Sequence, residues 1–217
     1  VHERSLLASC NHPFILRLVS SFQSRNNLYF VTELVLGGEL FTQLMAKKKF
    51  SLPVTRFYAA CVLAAFAYLK EIHVAYRDLK PENVLIEADG YLKVIDFGFA
   101  KVVDGRTFTF CGTPDYMAPE ILHFRGQTPA VDMWALGVFI YEMLVGQTPF
   151  ANDEPTDLYA AVLRYEVDRR LSFPWFFNAE AKSLIESLLT PKPDERPTPA
   201  VACAHAFFEP INFVQLE

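Results

Sequence analysis

Paired cysteines, glycosylation signals and long apolar runs are all missing from this sequence. Its four cysteines, Cys10, Cys61, Cys111 and Cys203, lie far apart and form no CxxC pair. That argues against a disulfide scaffold and against a cysteine-based zinc site. No Asn-x-Ser/Thr triplet occurs. A reducing, cytoplasmic setting is therefore expected. The longest uncharged apolar run covers residues 57–69, short of the ~20 residues that a bilayer span requires. It reads as a buried helix, and no membrane span is expected. Basic residues are outnumbered, with 20 Lys+Arg against 25 Asp+Glu and a net charge of −5. A general nucleic-acid binder needs a basic face, so nucleic acid is not expected as a partner.

What is present suits a folded domain. The 217 residues are 52% hydrophobic and 21% charged, enough for one large domain or two small lobes with a real core, and too apolar for disorder. Residues 1–10 look like the end of a helix, stopped by Asn11-His12-Pro13. Residues 14–22 and 28–32 read as two strands around a polar turn. Gly37-Gly38 breaks the chain, and a short helix over 39–46 follows. Pro53 opens a long helix ending near Ile72. Helices dominate from Pro129 onward, and the run from Asp132 to Val145 is apolar on nearly every face, as in a helix at the centre of a domain. Strands first and helices later predict an α+β fold, a small sheet-rich piece joined to a larger helical one.

The chemistry is concentrated in Tyr76-Arg77-Asp78-Leu79-Lys80-Pro81-Glu82-Asn83 and in Asp96-Phe97-Gly98. Between them, Asp89-Gly90 reads as a two-residue hairpin turn. That turn would set Asn83 opposite Asp96 at the open end of the hairpin, although the register could slip by one. An amide oxygen and a carboxylate there, beside Asp78, suit Mg²⁺, which takes few protein ligands and fills the rest from phosphate and water. Asp78 could accept a proton from a hydroxyl nucleophile, and Lys80 could contact a transferring phosphoryl group. Either motif alone would more often be a surface turn or a loop. Together, at this spacing, they read as metal-assisted phosphoryl transfer.

These residues resemble the eukaryotic protein kinases. Arg77-Asp78 through Asn83, Asp96-Phe97-Gly98 and Ala118-Pro119-Glu120 match the family's signatures in order and spacing. Lys80, two after Asp78, is similar to the serine/threonine class. The stretches LVLGGELF, TRFYAACVLAAFAYL, DFGFAK and FTFCGTPDYMAPE resemble the AGC group, within it the cyclic-nucleotide-dependent kinases, the cGMP type somewhat ahead of the cAMP type. The resemblance implies a protein-kinase-like fold, ATP and Mg²⁺ as cofactors, and protein substrates. Asp78 would be the catalytic base, Lys80 would stabilise the γ-phosphate, and Asn83 and Asp96 would hold magnesium. Thr113 would hydrogen-bond the catalytic aspartate. Glu33, Val35, Glu39 and Leu85 would line the nucleotide site, Glu33 to Val35 as the hinge and Leu85 beneath adenine, with Thr32 at the gatekeeper position.

The same resemblance makes Thr109 the activation-loop phosphosite, its phosphate facing Arg77 and Lys101. The alternative is an ordinary loop threonine. Glu39, Glu82 and Glu142 match the positions that bind arginines upstream of the phosphorylated residue in basophilic relatives. Glu142 is the most informative of them, because a carboxylate inside an apolar helix needs a partner. Phe110, Pro114 and Met117 would shape an apolar pocket for the residue after the acceptor. Glu3, Asp132, Glu120 and Arg196 would be structural, the last two as a buried pair. His73, His123 and His205 read as surface or packing residues. Lys47-Lys48-Lys49 reads as a solvated turn, too few lysines to argue for a membrane patch.

A protein kinase also needs a glycine-rich loop and a strand lysine. The stretch before Glu33 has neither glycine nor lysine. Residues 1–33 are therefore expected to be a small-lobe remnant that begins midway through a helix, and residues 34–217 the hinge and large lobe. Without a roof over the nucleotide, these residues alone are expected to have little activity. The resemblance leaves room for a regulatory domain or subunit outside them. The competing reading is a truncated pseudokinase that serves as a binding or scaffold module.

Overall fold

The computed structural model describes residues 2–152 and 154–216. The chain runs α1 (His2–Ser9), β1 (Leu18–Gln23), β2 (Leu28–Thr32), α2 (Leu40–Lys47), α3 (Leu52–Glu71), β3 (Val74–Ala75), β4 (Val84–Ile86), β5 (Leu92–Val94) and β6 (Lys101–Val102). It continues through α4 (Pro119–Leu122), α5 (Ala130–Val145), α6 (Pro155–Asp168), α7 (Ala179–Leu188), α8 (Pro199–Cys203) and α9 (Phe213–Leu216). The strands form three two-stranded antiparallel sheets, β1–β2, β3–β6 and β4–β5. Strands early and helices late give the α+β arrangement expected from the sequence.

The centre is α5. Pro129 caps it, Gly146 ends it in the left-handed conformation, and nearly every residue between Val131 and Tyr141 is buried. Trp134, Phe139 and Ile140 are fully inside, each contributing about 1.5–3 kcal/mol by burial. Helices α3 and α7 both pack against it. Helix α3 is long and apolar enough by composition to cross a membrane, but its Ala59–Phe66 run lies in this core.

Two details differ from the sequence expectation. Strand β1 begins at Leu18, not at Phe14. Phe14 and Ile15 are instead buried against β5, where the Leu16 N–H donates to the Val94 carbonyl at 3.0 Å and the Val94 N–H to the Phe14 carbonyl at 2.8 Å. The β4–β5 hairpin has also slipped by one residue. Val84 pairs with Val94, Leu85 with Lys93 and Ile86 with Leu92. The Glu87 N–H closes onto the Tyr91 carbonyl, so the loop is Ala88-Asp89-Gly90, with Gly90 at φ +93°. A three-residue loop ending in a left-handed glycine uses the same residues as the two-residue turn. Asn83 therefore faces Ile95, whose N–H donates to the Asn83 carbonyl at 2.9 Å, and not Asp96.

Gly37 and Gly38 tie the following segment to this hairpin. The Gly37 N–H donates to the Ile86 carbonyl at 2.8 Å. A Cβ at Gly37 would lie 2.3 Å from that oxygen, so only glycine permits the approach.

Candidate active site

The loop from Tyr76 to Asn83 hangs from the core helix. The Asp132 carboxylate at the start of α5 accepts the Tyr76 N–H at 2.8 Å and the Arg77 N–H at 2.7 Å. Arg77 needs that clamp, since its φ of +70° is unusual for a residue with a side chain. Burial raises the Asp132 carboxyl to about 6, against the pull of those two N–H groups. The Tyr76 hydroxyl donates to the Ile95 carbonyl. Burial first, then the charges of Asp78, Asp96 and Asp132, push its pKa well above the usual phenol value. The tyrosine is a neutral spacer among three carboxylates.

Asp78 is the hub. It is buried, and its Oδ1 accepts the Thr113 hydroxyl at 2.9 Å. Its Oδ2 accepts the Asn83 amide at 2.7 Å and lies 3.5 Å from the Lys80 ammonium. Lys80 Nζ also donates to Thr113 Oγ1 at 3.0 Å. The four residues expected to be catalytic thus form one hydrogen-bonded cluster. Asn83 spends its amide hydrogens on Asp78, on the backbone oxygen at 2.9 Å as well as on the side chain. Its carbonyl oxygen takes no part in those bonds. Asp96, held at φ +58°, gives Oδ1 to the Gly98 N–H at 3.0 Å and keeps a second oxygen. One carboxylate oxygen from Asp96 and one amide oxygen from Asn83 are hard donors of the kind that fit Mg²⁺ shared with phosphate. The half-buried Glu3 side chain on α1 belongs to the same field. Burial, and next the Asp96 charge, raise its pKa.

Above this cluster, β2 runs into the segment of Glu33 to Leu36. The Glu33 N–H pairs with the Arg17 carbonyl at 3.1 Å. Its side chain accepts the Arg17 N–H at 2.8 Å and pairs with Lys93 at 3.0 Å. Burial opposes ionisation of Glu33, but those two partners hold it below the usual carboxylate range. Lys93, a buried lysine that the sequence did not single out, is thereby satisfied. Leu34 and Leu36 are largely exposed, Leu85 is half-buried, and Glu39 bridges to Leu85 through the backbone while capping α2.

Comparisons with known proteins identify the family. The protein kinase domain model matches residues 1–208. A cAMP-dependent protein kinase catalytic subunit of Dictyostelium discoideum is 48% identical over 87% of this chain and 28% of its own length. A cAMP-dependent catalytic subunit-like protein of Caenorhabditis briggsae is 40% identical over 98% of this chain and 55% of its own. A cAMP-dependent protein kinase type 3 of Saccharomyces cerevisiae is 44% identical, over 89% and 48%. The chain belongs to the protein kinase domain family. It is AGC-like and spans about half or less of the length of these relatives. They bear the cAMP-dependent name, the second of the two cyclic-nucleotide types that the motifs suggested.

In kinase terms, the segment after Asp96 is the activation segment. Thr109 on it is exposed, and its carbonyl accepts the Gln127 amide at 2.6 Å. Lys101 does not stand ready for it. Its ammonium donates to the buried Thr107 hydroxyl at 2.9 Å. Arg77 Nε donates to the Phe99 carbonyl at 2.8 Å, while its Nη1 is buried without a partner among the described residues. Both cations nevertheless converge on Cys111, where their charges pull against the burial that raises the thiol pKa.

On the far side of Thr113, Glu142 has found the partner its burial demands. The Tyr116 hydroxyl donates to its Oε2. Burial lifts the Glu142 carboxyl to about 7, the Tyr116 bond opposes this, and the nearby Glu82 and Asp115 charges add to it. Tyr116 was not expected. Its only sequence signal is the aromatic two residues after Pro114. Glu82 is exposed on the short 3₁₀ turn of Pro81–Asn83. The three residues expected to shape one apolar pocket differ in exposure: Met117 is buried, Pro114 is half-buried, and the exposed Phe110 stacks on Phe124 at 5.5 Å.

Glu120 and Arg196 form a bidentate pair at 2.9 and 3.1 Å, with the guanidinium fully buried. Arg196 also donates to the carbonyls of Thr190, Ala130 and Pro191 and lies over the Trp134 ring. Among the histidines, His123 pairs with Glu166 at 2.6 Å, and His205 contacts Ser183 at 3.2 Å while accepting the Phe207 N–H.

Proposed function

We propose that this chain is the catalytic domain of a serine/threonine protein kinase that transfers the ATP γ-phosphate to hydroxyls of protein substrates carrying upstream arginines. The observation that carries the reading is the Asp78 cluster, with Thr113, Asn83 and Lys80 all within 3.5 Å of the Asp78 side chain. That intact cluster favours catalysis over a scaffold role.

When bound, Mg·ATP supplies the phosphoryl group and the charge neutralisation it needs. Asn83 and Asp96 would hold the metal. Asp78 orients the substrate hydroxyl and accepts its proton. Thr113 and Asn83 fix the two carboxylate oxygens, so the base does not reorganise during transfer. Lys80, bonded to Thr113 and facing Asp78, presents its ammonium to the transferred group. Glu33 to Val35 offers backbone to adenine and Leu85 its floor. Glu39, Glu82 and Glu142 would receive substrate arginines. Phosphate on Thr109 would draw on Arg77, whose Nη1 is still unpaired, and on Lys101 once it leaves Thr107. Cys10, Cys61 and Cys111 are buried free thiols, in keeping with a cytoplasmic enzyme.

The test is phosphoryl transfer to an Arg-Arg-x-Ser peptide by a chimera with a relative's small lobe fused ahead of residue 1. Wild type should transfer and Asp78→Asn should lose about 100-fold or more. Transfer by the Asp78→Asn chimera at the wild-type rate would reject the assignment.

A further inference from the structure

The lysine run at the end of α2 is not an isolated solvated turn. The segment between α6 and α7 comes up beside it. Lys49 Nζ stands 5.9 Å from the centroid of the Phe176 ring, and Phe176 packs edge-on against Trp175 at 5.5 Å. Trp175 is 95% exposed and Phe176 63%. An indole so far clear of the surface contributes almost nothing to the fold. Lys47, Lys48 and Lys49 are all exposed, and among the described residues no carboxylate pairs with any of them. On α7, Glu180 pairs with Arg56 and Glu186 with Lys182. In a chain of net charge −5, three lysines without a carboxylate partner among the described residues, Lys47 over the Phe50 ring and Lys49 near Phe176, do not follow from composition.

We propose that this patch docks on the surface of an anionic phospholipid bilayer. Indole rings favour the interfacial zone of a membrane. Lysine stems lie along apolar surface while their ammonium groups stay at headgroup level. Each lysine near an anionic leaflet strengthens binding roughly fivefold. A protein partner would have to offer a pocket shaped to the protruding indole. A bilayer deforms around it, and its negative charge complements the lysines without any specific pairing. The proposal is independent of the kinase reaction.

Flotation of the 217-residue chain with vesicles tests it, using phosphatidylcholine alone and phosphatidylcholine with about one-third phosphatidylserine, at low salt. The chain should float with the anionic vesicles and not with the neutral ones, and Trp175 fluorescence should shift to the blue. Trp175→Ser should weaken flotation several-fold, and Lys47→Glu with Lys49→Glu should abolish it. Both variants should melt like wild type, since the replaced side chains are exposed. Three outcomes overturn the proposal: no flotation with anionic vesicles, equal flotation with neutral ones, or flotation that both variants retain. Binding to polyglutamate without flotation would also overturn it and reassign the patch to an acidic protein.

Discussion

The proposed role of Glu142 in receiving a substrate arginine is testable through pH. Burial is the main cause that moves its carboxyl from 4.5 to about 7. About one molecule in ten then carries the charge at pH 6, and about nine in ten at pH 8. A guanidinium pairs with the ionised form. The affinity for an arginine-bearing peptide should therefore rise about tenfold from pH 6 to pH 8, or ~1.4 kcal/mol. Fluorescence anisotropy with a labelled Arg-Arg-x-Ala peptide measures this in the chimera. The same peptide with citrulline in place of arginine corrects for Asp132, which titrates near 6 behind the catalytic loop. Glu142→Gln should weaken binding of the arginine peptide and flatten its profile. Stability should move the other way. The folded state holds this proton more tightly than the unfolded chain, so Glu142 costs nothing below about 4.5 and progressively more up to about 7. The full cost is ~3 kcal/mol, at about 1.4 kcal/mol per factor of ten. Glu142→Gln should therefore melt above wild type at pH 8 while binding arginine less well. An arginine-to-citrulline affinity ratio that stays constant between pH 6 and 8 would refute the reasoning.

Other perturbations separate the remaining parts. Asp96→Ala in the chimera should cut phosphoryl transfer by about 100-fold or more through loss of a metal oxygen, and an unaltered rate would remove Asp96 from the site. Thr109→Ala should lower the rate on the order of tenfold by denying Arg77 a phosphate partner; equal rates for variant and wild type would show that the loop switch is unused. Arg196→Leu leaves Glu120 buried and unpaired and should cost ~3–5 kcal/mol in urea unfolding, whereas a loss below about 1 kcal/mol would mean that water reaches the carboxylate.

Much of the fold was legible because it depends on patterns that sequence displays directly. Helix α3 announced itself by Pro53 and its apolar run, and α5 by apolar residues on every face. Asp78, Lys80 and Asn83 stood out through motif spacing, and Thr113 through the family resemblance. What was not legible depended on contacts between distant segments. Residue counting could not tell a two-residue turn from a three-residue loop ending in Gly90, since both want glycine there. Phe14 and Ile15 looked like strand because they are apolar, but they are spent on packing against Val94. Tyr116 meets Glu142 across 26 positions in the chain. Lys101 turned to the nearer Thr107 hydroxyl. The exposure of Trp175 beside Lys49 could be seen only once two loops were brought together.

The suspension of the catalytic loop from Asp132 ties its motion to that of the whole protein. The amides of Tyr76 and Arg77 are bonded to a side chain whose own helix runs through the middle of the core. They can exchange hydrogen with solvent only when α5 moves or Asp132 lets go, so they should exchange among the slowest amides in the chain. Under the proposed function, closure over a nucleotide would leave Asp78 in place. The loop that carries Asp78 should thus open together with the most slowly opening part of the molecule.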